Sequence, residues 1–336
     1  MGLLITSVLV VNAGSTSLKL TRVDLDERSL PVGSLEEAAG TVDAVGHRIV
    51  HGGPRFSVPV LVDDTVAAEL ATLTDLAPLH NAKALVALAE ARELLPAPPH
   101  VAVFDTAFHS TLPPEAATYA LPPRLREELG IRRYGFHGLS VEWAASRVSS
   151  RRLVVCHLGG GCSITAVLDG RSIDTTMGFT PLEGVPMATR AGTVDPGALL
   201  YLLRNDRVTV EELDRVLEHE SGLLGLGGTD DPRQLAGTLT LDVYTYRIAV
   251  AVGAMATALG GLDALVFTAG VGEHSADVRA RVCERLGFLG VAIDVEANRD
   301  ATPDAEVAAA GSSVRVVVLG AREDVVAARA VRKLLS

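Results

Sequence analysis

Two arginines lie in segments whose composition suits the binding of a phosphoryl group. Arg48 stands between two histidines in HRIVHGG, residues 47–53, at the end of a predicted strand. Arg190 lies in the loop-like segment MATRAG, residues 187–192. Two guanidinium groups can clamp a phosphoryl group during transfer, because they match its equatorial oxygens and neutralise its charge. For either arginine alone, a surface salt bridge is the commoner role.

Turns rich in small residues follow three of the predicted strands. They are NAGSTSLK at 12–19, GGGCS at 159–163 and GVGE at 270–273. Small residues let backbone N–H groups approach an anion closely, and hydroxyl groups add donors. The first turn does not match the GxxxxGK[ST] loop, and alone it is equally typical of a polar hairpin. As a set, the turns predict a nucleotide whose phosphates lie between two lobes.

Other polar side chains stand where a cleft would need them. Asp105 closes the predicted buried strand HVAVFD, where it could bind Mg²⁺ through water, orient an attacking carboxylate, or cap the next helix. His137 lies between glycines in YGFHG, which indicates a pocket wall, although a lone histidine is more often structural. Asn12, at a strand end, suits a metal-bound water or a phosphate oxygen.

The elements that must position these side chains alternate as in an α/β fold. Residues 5–25 are predicted as strand, polar turn and strand, and residues 151–173 repeat that pattern. This repetition predicts a duplicated fold with one phosphate-facing hairpin in each lobe. Strands are also predicted at 100–105 and at 263–273, the latter running into a glycine turn, and helices at 63–73, 82–95, 196–204, 210–219 and 241–260.

Composition restricts the classes of partner. The chain has 336 residues, 48% of them hydrophobic, which favours two lobes over one small domain. Its net charge of −11 argues against nucleic acid and acidic membranes, because both require a basic face. The three cysteines are an odd number without metal-ligand spacing, which predicts a reducing cytoplasm rather than a disulfide framework. No apolar run reaches membrane-spanning length.

In their order along nearly the whole chain, these motifs resemble those of the acetate kinase family. The resemblance rests on NAGSTSLK, HRIVHGG, APLHN, FDTAFH, RRYGFHG, HLGGGCSI, DTTMGFTPLEGVPMATR, FTAGVGE and the last RED. It implies an α/β fold with two actin-like, ribonuclease H-like lobes, a duplicated core and a cleft between the lobes. Residues 1–107 with 325–336 would form a shortened first lobe, against which the last helix packs. Residues 108–324 would form the second, with the nucleotide site and a homodimer surface.

The reaction that the resemblance implies is reversible in-line transfer of the ATP γ-phosphate to acetate or propionate, with Mg²⁺ or Mn²⁺. The implied catalytic residues are Arg48, Asp105, His137 and Arg190, and the implied metal residues are Asn12 and Glu323. The implied substrate pocket contains Val50, Leu79, His80, Phe136 and Pro181. The implied nucleotide residues are Asn12, Ser15, Ser17, Lys19, His157, Gly159, Gly160, Gly161, Asp231, Pro232, Arg233, Gly270, Val271, Gly272 and Glu273.

Departures from the family pattern leave another interpretation open. Only residues 20–47 separate Lys19 from Arg48, whereas members of the family usually have a longer strand and helix segment there. The first lobe is therefore shortened. Gly160 stands where the family usually has Asn, which removes a side-chain donor. The alternative is a non-catalytic nucleotide-binding paralogue, or one acting on a longer acid such as butyrate. Retention of the catalytic set together with Glu323 opposes the first of these, and the arginine clamp disfavours a sugar kinase, because it suits an anion.

Overall fold

Two six-stranded sheets form the framework of the computed structural model, which describes residues 4–13, 18–74, 78–204 and 207–336, with only the backbone of 78–80. The first sheet has the order β3-β2-β1-β4-β6-β5. Its strands are β1 (Val8–Ala13), β2 (Leu18–Val23), β3 (Ser29–Pro31), β4 (Ala44–Ile49), β5 (Val60–Leu61) and β6 (His100–Phe104). The second has the order β11-β12-β10-β7-β8-β9. Its strands are β7 (Arg152–Leu158), β8 (Cys162–Leu168), β9 (Arg171–Thr175), β10 (Ala264–Thr268), β11 (Ala305–Glu306) and β12 (Arg315–Val318).

The two sheets share one topology. In each, three antiparallel strands are followed by two strands parallel to the first, as β4 and β6 are to β1 and as β10 and β12 are to β7. Each sheet also ends in a short antiparallel edge strand, β5 or β11. This repetition confirms the duplication that residues 5–25 and 151–173 predicted.

Helices surround both sheets. The described α-helices are α1 (Leu35–Ala38), α2 (Asp64–Ala71), α3 (Pro78–Leu94), α4 (Pro114–Ala117), α5 (Pro123–Arg126), α6 (Gly138–Arg147), α7 (Pro196–Leu203), α8 (Val210–His219), α9 (Gly222–Gly227), α10 (Leu239–Leu259), α11 (Ala269–His274), α12 (Ala276–Glu284), α13 (Val295–Arg299) and α14 (Glu323–Leu335). The five predicted helices are all present. Among the described residues, no helix is long and apolar enough to cross a membrane.

A shared core joins the two sheets. Helix α14 packs on β1 and β4, α6 packs on β7, and the two helices contact each other between the sheets. Along β1, Val8 and Val10 face this middle layer while Leu9 and Val11 face the outer layer that contains α3. Because helices cover both faces of the sheet, the strand is a continuous apolar run. The last helix therefore packs on the first sheet, as the sequence predicted.

One predicted turn is a helix. The segment after β10 was expected to be a glycine turn, but it forms α11. Burial of Gly272 against the backbone of Phe267 and hydrogen bonds from Arg279 to the Gly272 and Glu273 carbonyl groups stabilise this helix. Tertiary contacts thus override the low helix propensity of glycine.

Candidate active site

Arg48 is the centre of a charged cluster at the carboxyl end of the first sheet. Its Nε donates to Asp105 Oδ1 at 2.9 Å and its Nη2 pairs with Asp105 Oδ2, so the contact has two points. Arg48 Nη1 donates to Asn12 Oδ1 at 3.0 Å and lies 3.6 Å from Glu323 Oε2. Four residues distant in the sequence therefore meet around one guanidinium group.

Strand order explains this meeting. Strands β4 and β6 are parallel neighbours, so Arg48, near the end of β4, and Asp105, directly after β6, reach the same edge of the sheet. The Asp105 N–H donates to the Ile49 carbonyl at 3.0 Å, which extends the ladder by one residue. The sequence also allows Asp105 to cap the following helix, but its carboxylate pairs with Arg48 instead.

Burial and charge oppose each other at this pair. Burial lowers the pKa of Arg48, but the carboxylates of Asp105 and Glu323 outweigh it and raise that pKa. Burial raises the pKa of Asp105, and the guanidinium counteracts this rise. We expect both groups to remain ionised, because the two-point contact stabilises both charges.

His137 lies in a strained turn next to this cluster. Its φ of 58° and ψ of 25° are left-handed, which is costly for a residue with a side chain and is typical of functional sites. The Gly138 N–H donates to the Asp105 carbonyl at 2.9 Å, and a Cβ at Gly138 would lie 2.1 Å from that oxygen. The last glycine of YGFHG, Gly138, is therefore required for the turn to pack on Asp105.

The turn places the ring of His137 against the ring of His157. The rings of His137 and His157 are 3.9 Å apart between centroids and inclined by 17°. His137 Nδ1 lies 3.0 Å from Ser163 Oγ, and His157 Nδ1 lies 2.8 Å from Ser140 Oγ. Burial is the largest cause that holds the pKa of His137 well below its usual value. The neighbouring His157, Arg48 and Arg190 lower this pKa further. Burial lowers the pKa of His157 to about 4, so both rings are neutral at neutral pH.

Arg190 lies beside the glycine turn that also borders His137. Its Nε lies 3.0 Å from Glu218 Oε2, near the end of α8, and both side chains are largely buried. A Cβ placed on Gly161 would lie 3.2 Å from His137 Nε2 and 3.4 Å from Arg190 Nη1. The absence of a side chain at Gly161 thus lets the histidine and the arginine flank one small space beside the glycine turn. The structure brings all four predicted catalytic residues into one site.

A cavity of about 660 Å³ opens beside this space. It is lined by Gly159, Gly160, Ala188, Asp230, Asp231, Pro232, Arg233, Gln234, Gly270, Val271, His274 and Ser275. Seven of the residues predicted to bind the nucleotide are in this lining, from three separate segments of the chain. The volume suits a ligand of nucleotide size.

Other residues predicted for the nucleotide lie elsewhere. Glu273 is not part of this lining, and its Oε1 accepts from the Ala321 N–H at 2.9 Å. Gly272 packs on Phe267, and Gly161 lies at His137 as described above. Lys19 is an exposed residue of β2 that pairs in register with Asn12. Ser15 and Ser17 lie outside the described residues.

The predicted acyl pocket is described in part. Val50 and Phe136 are buried in the same apolar cluster, and the His51 ring packs edge-on against Phe136 with 5.4 Å between centroids. The carbonyl of buried Pro181 lies 3.5 Å from Arg190 Nη1, which places this residue beside Arg190. The side chains of Leu79 and His80 are outside the described part of α3.

Two oxygen donors suit a magnesium ion. Asn12 Oδ1 and Glu323 Oε2 both converge on Arg48 Nη1, and Mg²⁺ is commonly held by one or two such oxygens together with substrate phosphates. Within the described ranges, no three His, Cys, Asp or Glu side chains form a metal-ligand group. The donor set therefore fits an ion that is shared with the nucleotide.

Several supporting residues were not predicted. Glu218 pairs with Arg190, while Ser163 and Ser140 fix the two histidine rings. His109 Nε2 lies 2.9 Å from the Phe136 carbonyl and so supports the YGFHG turn. Ser163 lies inside HLGGGCSI and Ser140 lies two residues after RRYGFHG, but only the fold shows which histidine each serine contacts.

Comparison with known proteins agrees with this geometry. Residues 29–329 match the Acetokinase family. The chain is 47% identical over 301 residues to the acetate kinase of Nostoc punctiforme, covering 84% of this chain and 74% of that protein. The chain belongs to the acetokinase family.

Solved structures of this family superpose on the whole fold. A propionate kinase from Francisella tularensis is 32% identical, with a TM-score of 0.88 over 97% of this chain and 99% of that chain. The acetate kinase of Porphyromonas gingivalis is 31% identical, with a TM-score of 0.88 over 98% of this chain and 100% of that chain. The chain therefore matches these two structures over almost their whole length, although the connection between Lys19 and Arg48 is short.

Proposed function

We propose that this acetokinase-family chain transfers the γ-phosphoryl group of ATP to a short carboxylate, reversibly, giving acyl phosphate and ADP. Acetate and propionate are the substrates proposed, because relatives are named for these acids and because buried Val50 and Phe136 leave an apolar environment for a short chain. The observation that carries the proposal is the convergence of Arg48, His137 and Arg190 beside the nucleotide-sized cavity.

Charge neutralisation and alignment supply the catalysis. A carboxylate oxygen is already nucleophilic and forms its bond to the γ-phosphorus as the bond to the ADP oxygen breaks, so no strong base is needed. Arg48 and Arg190 hold the carboxylate and the transferring oxygens. His137 Nδ1 lies 3.0 Å from Ser163 Oγ. In the tautomer proposed here the serine hydroxyl donates to Nδ1, so neutral His137 carries its proton on Nε2 and donates from there to the phosphoryl group. Bound Mg²⁺, held by Asn12 and Glu323, would neutralise charge on the ATP phosphates.

Hydroxamate trapping of acyl phosphate tests this function. Purified protein receives Mg-ATP with acetate, propionate, butyrate or no acid. We expect a signal with acetate or propionate and a far weaker one with butyrate. ATP binding without any acyl phosphate would instead support the non-catalytic paralogue, which the missing donor at Gly160 favours.

The domain division and the assembly are part of the proposal. Residues 1–107 with 325–336 form one lobe and 108–324 the other, and two chains associate through the second lobe. The apolar helix α7 supports this, because Leu200 and Tyr201 are 52% and 59% exposed. Light scattering should find a dimer that Leu200→Glu combined with Tyr201→Glu converts to a monomer, and a monomeric wild type would exclude the proposed dimer.

The proposal places the protein in the cytoplasm. Its three cysteines are free and buried, as is usual for proteins of a reducing compartment.

A further inference from the structure

Glu273 connects two parts of the molecule that the reaction must coordinate. It lies in α11, and Gly270, Val271 and His274 of the same helix line the nucleotide cavity. Its carboxylate Oε1 accepts from the Ala321 N–H at 2.9 Å. Ala321 is two residues before Glu323, whose carboxylate lies 3.6 Å from Arg48. One side chain therefore bridges the nucleotide-binding helix and the segment that leads into α14.

The connecting segment, residues 320–322, is fixed from three directions. The Gly320 carbonyl accepts from Trp143 Nε1 and the Gly320 N–H donates to Asp304 Oδ1, both at 2.9 Å. Glu273 is the third contact. Because Gly320 is held on the side away from α14, we expect a small displacement at Ala321 to be passed towards Glu323 rather than absorbed by a loose loop.

The helix that carries Glu273 is anchored as well. Arg279 is 1% exposed, and its Nη1 donates at 2.9 Å to the carbonyl groups of both Gly272 and Glu273. Its Nε donates to Asn298 Oδ1 at 2.7 Å. Because Arg279 fixes the end of α11, the position of the Glu273 carboxylate depends on the position of the whole helix, whose first residues line the cavity.

We propose that Glu273 is a positioning residue that couples occupation of the nucleotide cavity to the placement of Glu323 beside Arg48. The proposal rests on the phosphotransfer function above. Glu273 contacts neither nucleotide nor acid. It acts through the Ala321 backbone, so that Glu323, the first residue of α14, is aligned with Arg48 when α11 is held by ATP.

A variant pair separates this role from nucleotide binding. Glu273→Ala removes the acceptor, whereas Glu273→Gln keeps a side-chain oxygen for the Ala321 N–H. We expect Glu273→Ala to lower kcat at least about tenfold while the calorimetric Kd for ATP changes less than about threefold. Glu273→Gln should restore most of the rate. A parallel loss of ATP affinity, or equal damage in both variants, would overturn the proposal.

A double-variant cycle tests the route. If Glu273 acts through Glu323, adding Glu273→Ala to Glu323→Ala should cost less than about twofold beyond Glu323→Ala alone. If the kcat losses of the two single variants instead multiplied in the double variant, Glu273 would not act through Glu323. Thermal unfolding of each variant serves as the control for folding.

The single tryptophan gives a measurement that does not need activity. Trp143 contacts Gly320, so its emission reports on the connecting segment. ATP titration should change the emission of wild type and Glu273→Gln, but not of Glu273→Ala, although calorimetry shows that ATP still binds. An unchanged response in Glu273→Ala would overturn the coupling. If the wild type forms no acyl phosphate, the proposed function fails while this measurement still decides the coupling.

Discussion

At the residue scale, the site works through groups whose charge is set by burial. His137 and His157 are neutral, stacked on each other and each in contact with a serine hydroxyl, so the cleft holds two fixed imidazole rings that add no positive charge. Positive charge comes from Arg48 and Arg190, and each has a carboxylate partner that holds its orientation. Such fixed groups stabilise a transferring phosphoryl group without reorganisation.

Glu218 tests whether the orientation of Arg190 matters. Glu218→Ala should remove the carboxylate that holds Arg190 Nε and lower kcat by roughly 10- to 100-fold, because small misplacements of a clamping group are costly. Glu218→Gln keeps an acceptor and should lose much less. Steady-state kinetics in both substrates measure this, and an effect on ATP KM alone would assign Glu218 to nucleotide binding.

The sequence predicts which residues belong to the site, but it does not predict which side chains contact each other there. Motif position identified Arg48, Asp105, His137 and Arg190, and all four converge in the structure. Nothing in the sequence connects Arg190 with Glu218, since that contact depends on how α8 packs beside the loop. Glu273 is a second such case, because the motif predicted a nucleotide residue and only the fold shows that its carboxylate accepts from the Ala321 N–H.

At the scale of elements, strand order explains most of the geometry. Duplicated hairpins were predictable from apolar runs that flank turns, but α11 was not, because buried Arg279 and close packing of Gly272 stabilise a helix in a glycine-rich sequence. The β7–β8 turn also contains adjacent glycines under different constraints. A Cβ at Gly160 would meet nothing within 4 Å, whereas one at Gly161 would press on His137 and Arg190.

Substitutions in this turn should therefore have opposite effects. Gly160 lines the cavity, and Gly160→Asn adds there the side-chain donor that is usual in the family. This variant should raise kcat about tenfold or more, because one donor to the transition state can contribute roughly 10²- to 10³-fold in kcat. Gly160→Ala is the matched control and should leave the rate unchanged. Gly161→Ala should lower kcat sharply. Equal behaviour of the two alanine variants in the acyl phosphate assay would contradict this description.

At the scale of the whole molecule, buried neutral histidines make stability depend on pH. Burial lowers the pKa of His51, His109 and His157 to about 4 each. The unfolded chain binds protons near pH 6.5 and the folded chain does not, so acidification favours unfolding until pH approaches 4.

Unfolding free energy should accordingly fall as pH decreases from 7 to 5, by about 2 kcal/mol for each such histidine. Urea unfolding at both pH values measures the difference. His109→Gln should reduce the pH dependence by about one such increment, while the exposed His219→Gln should not. A pH dependence unchanged in His109→Gln would contradict the assignment of His109 as buried and neutral.

The central claim is that the cleft stabilises a phosphoryl group in transfer, and Arg190 tests it most directly. The measurement is kcat for acyl phosphate formation beside the calorimetric Kd for ATP, in wild type and Arg190→Ala. The account predicts that kcat falls by about 10³-fold or more while the Kd changes by less than about threefold. Equal losses in both quantities would show that Arg190 serves nucleotide binding, and would contradict a transition-state role.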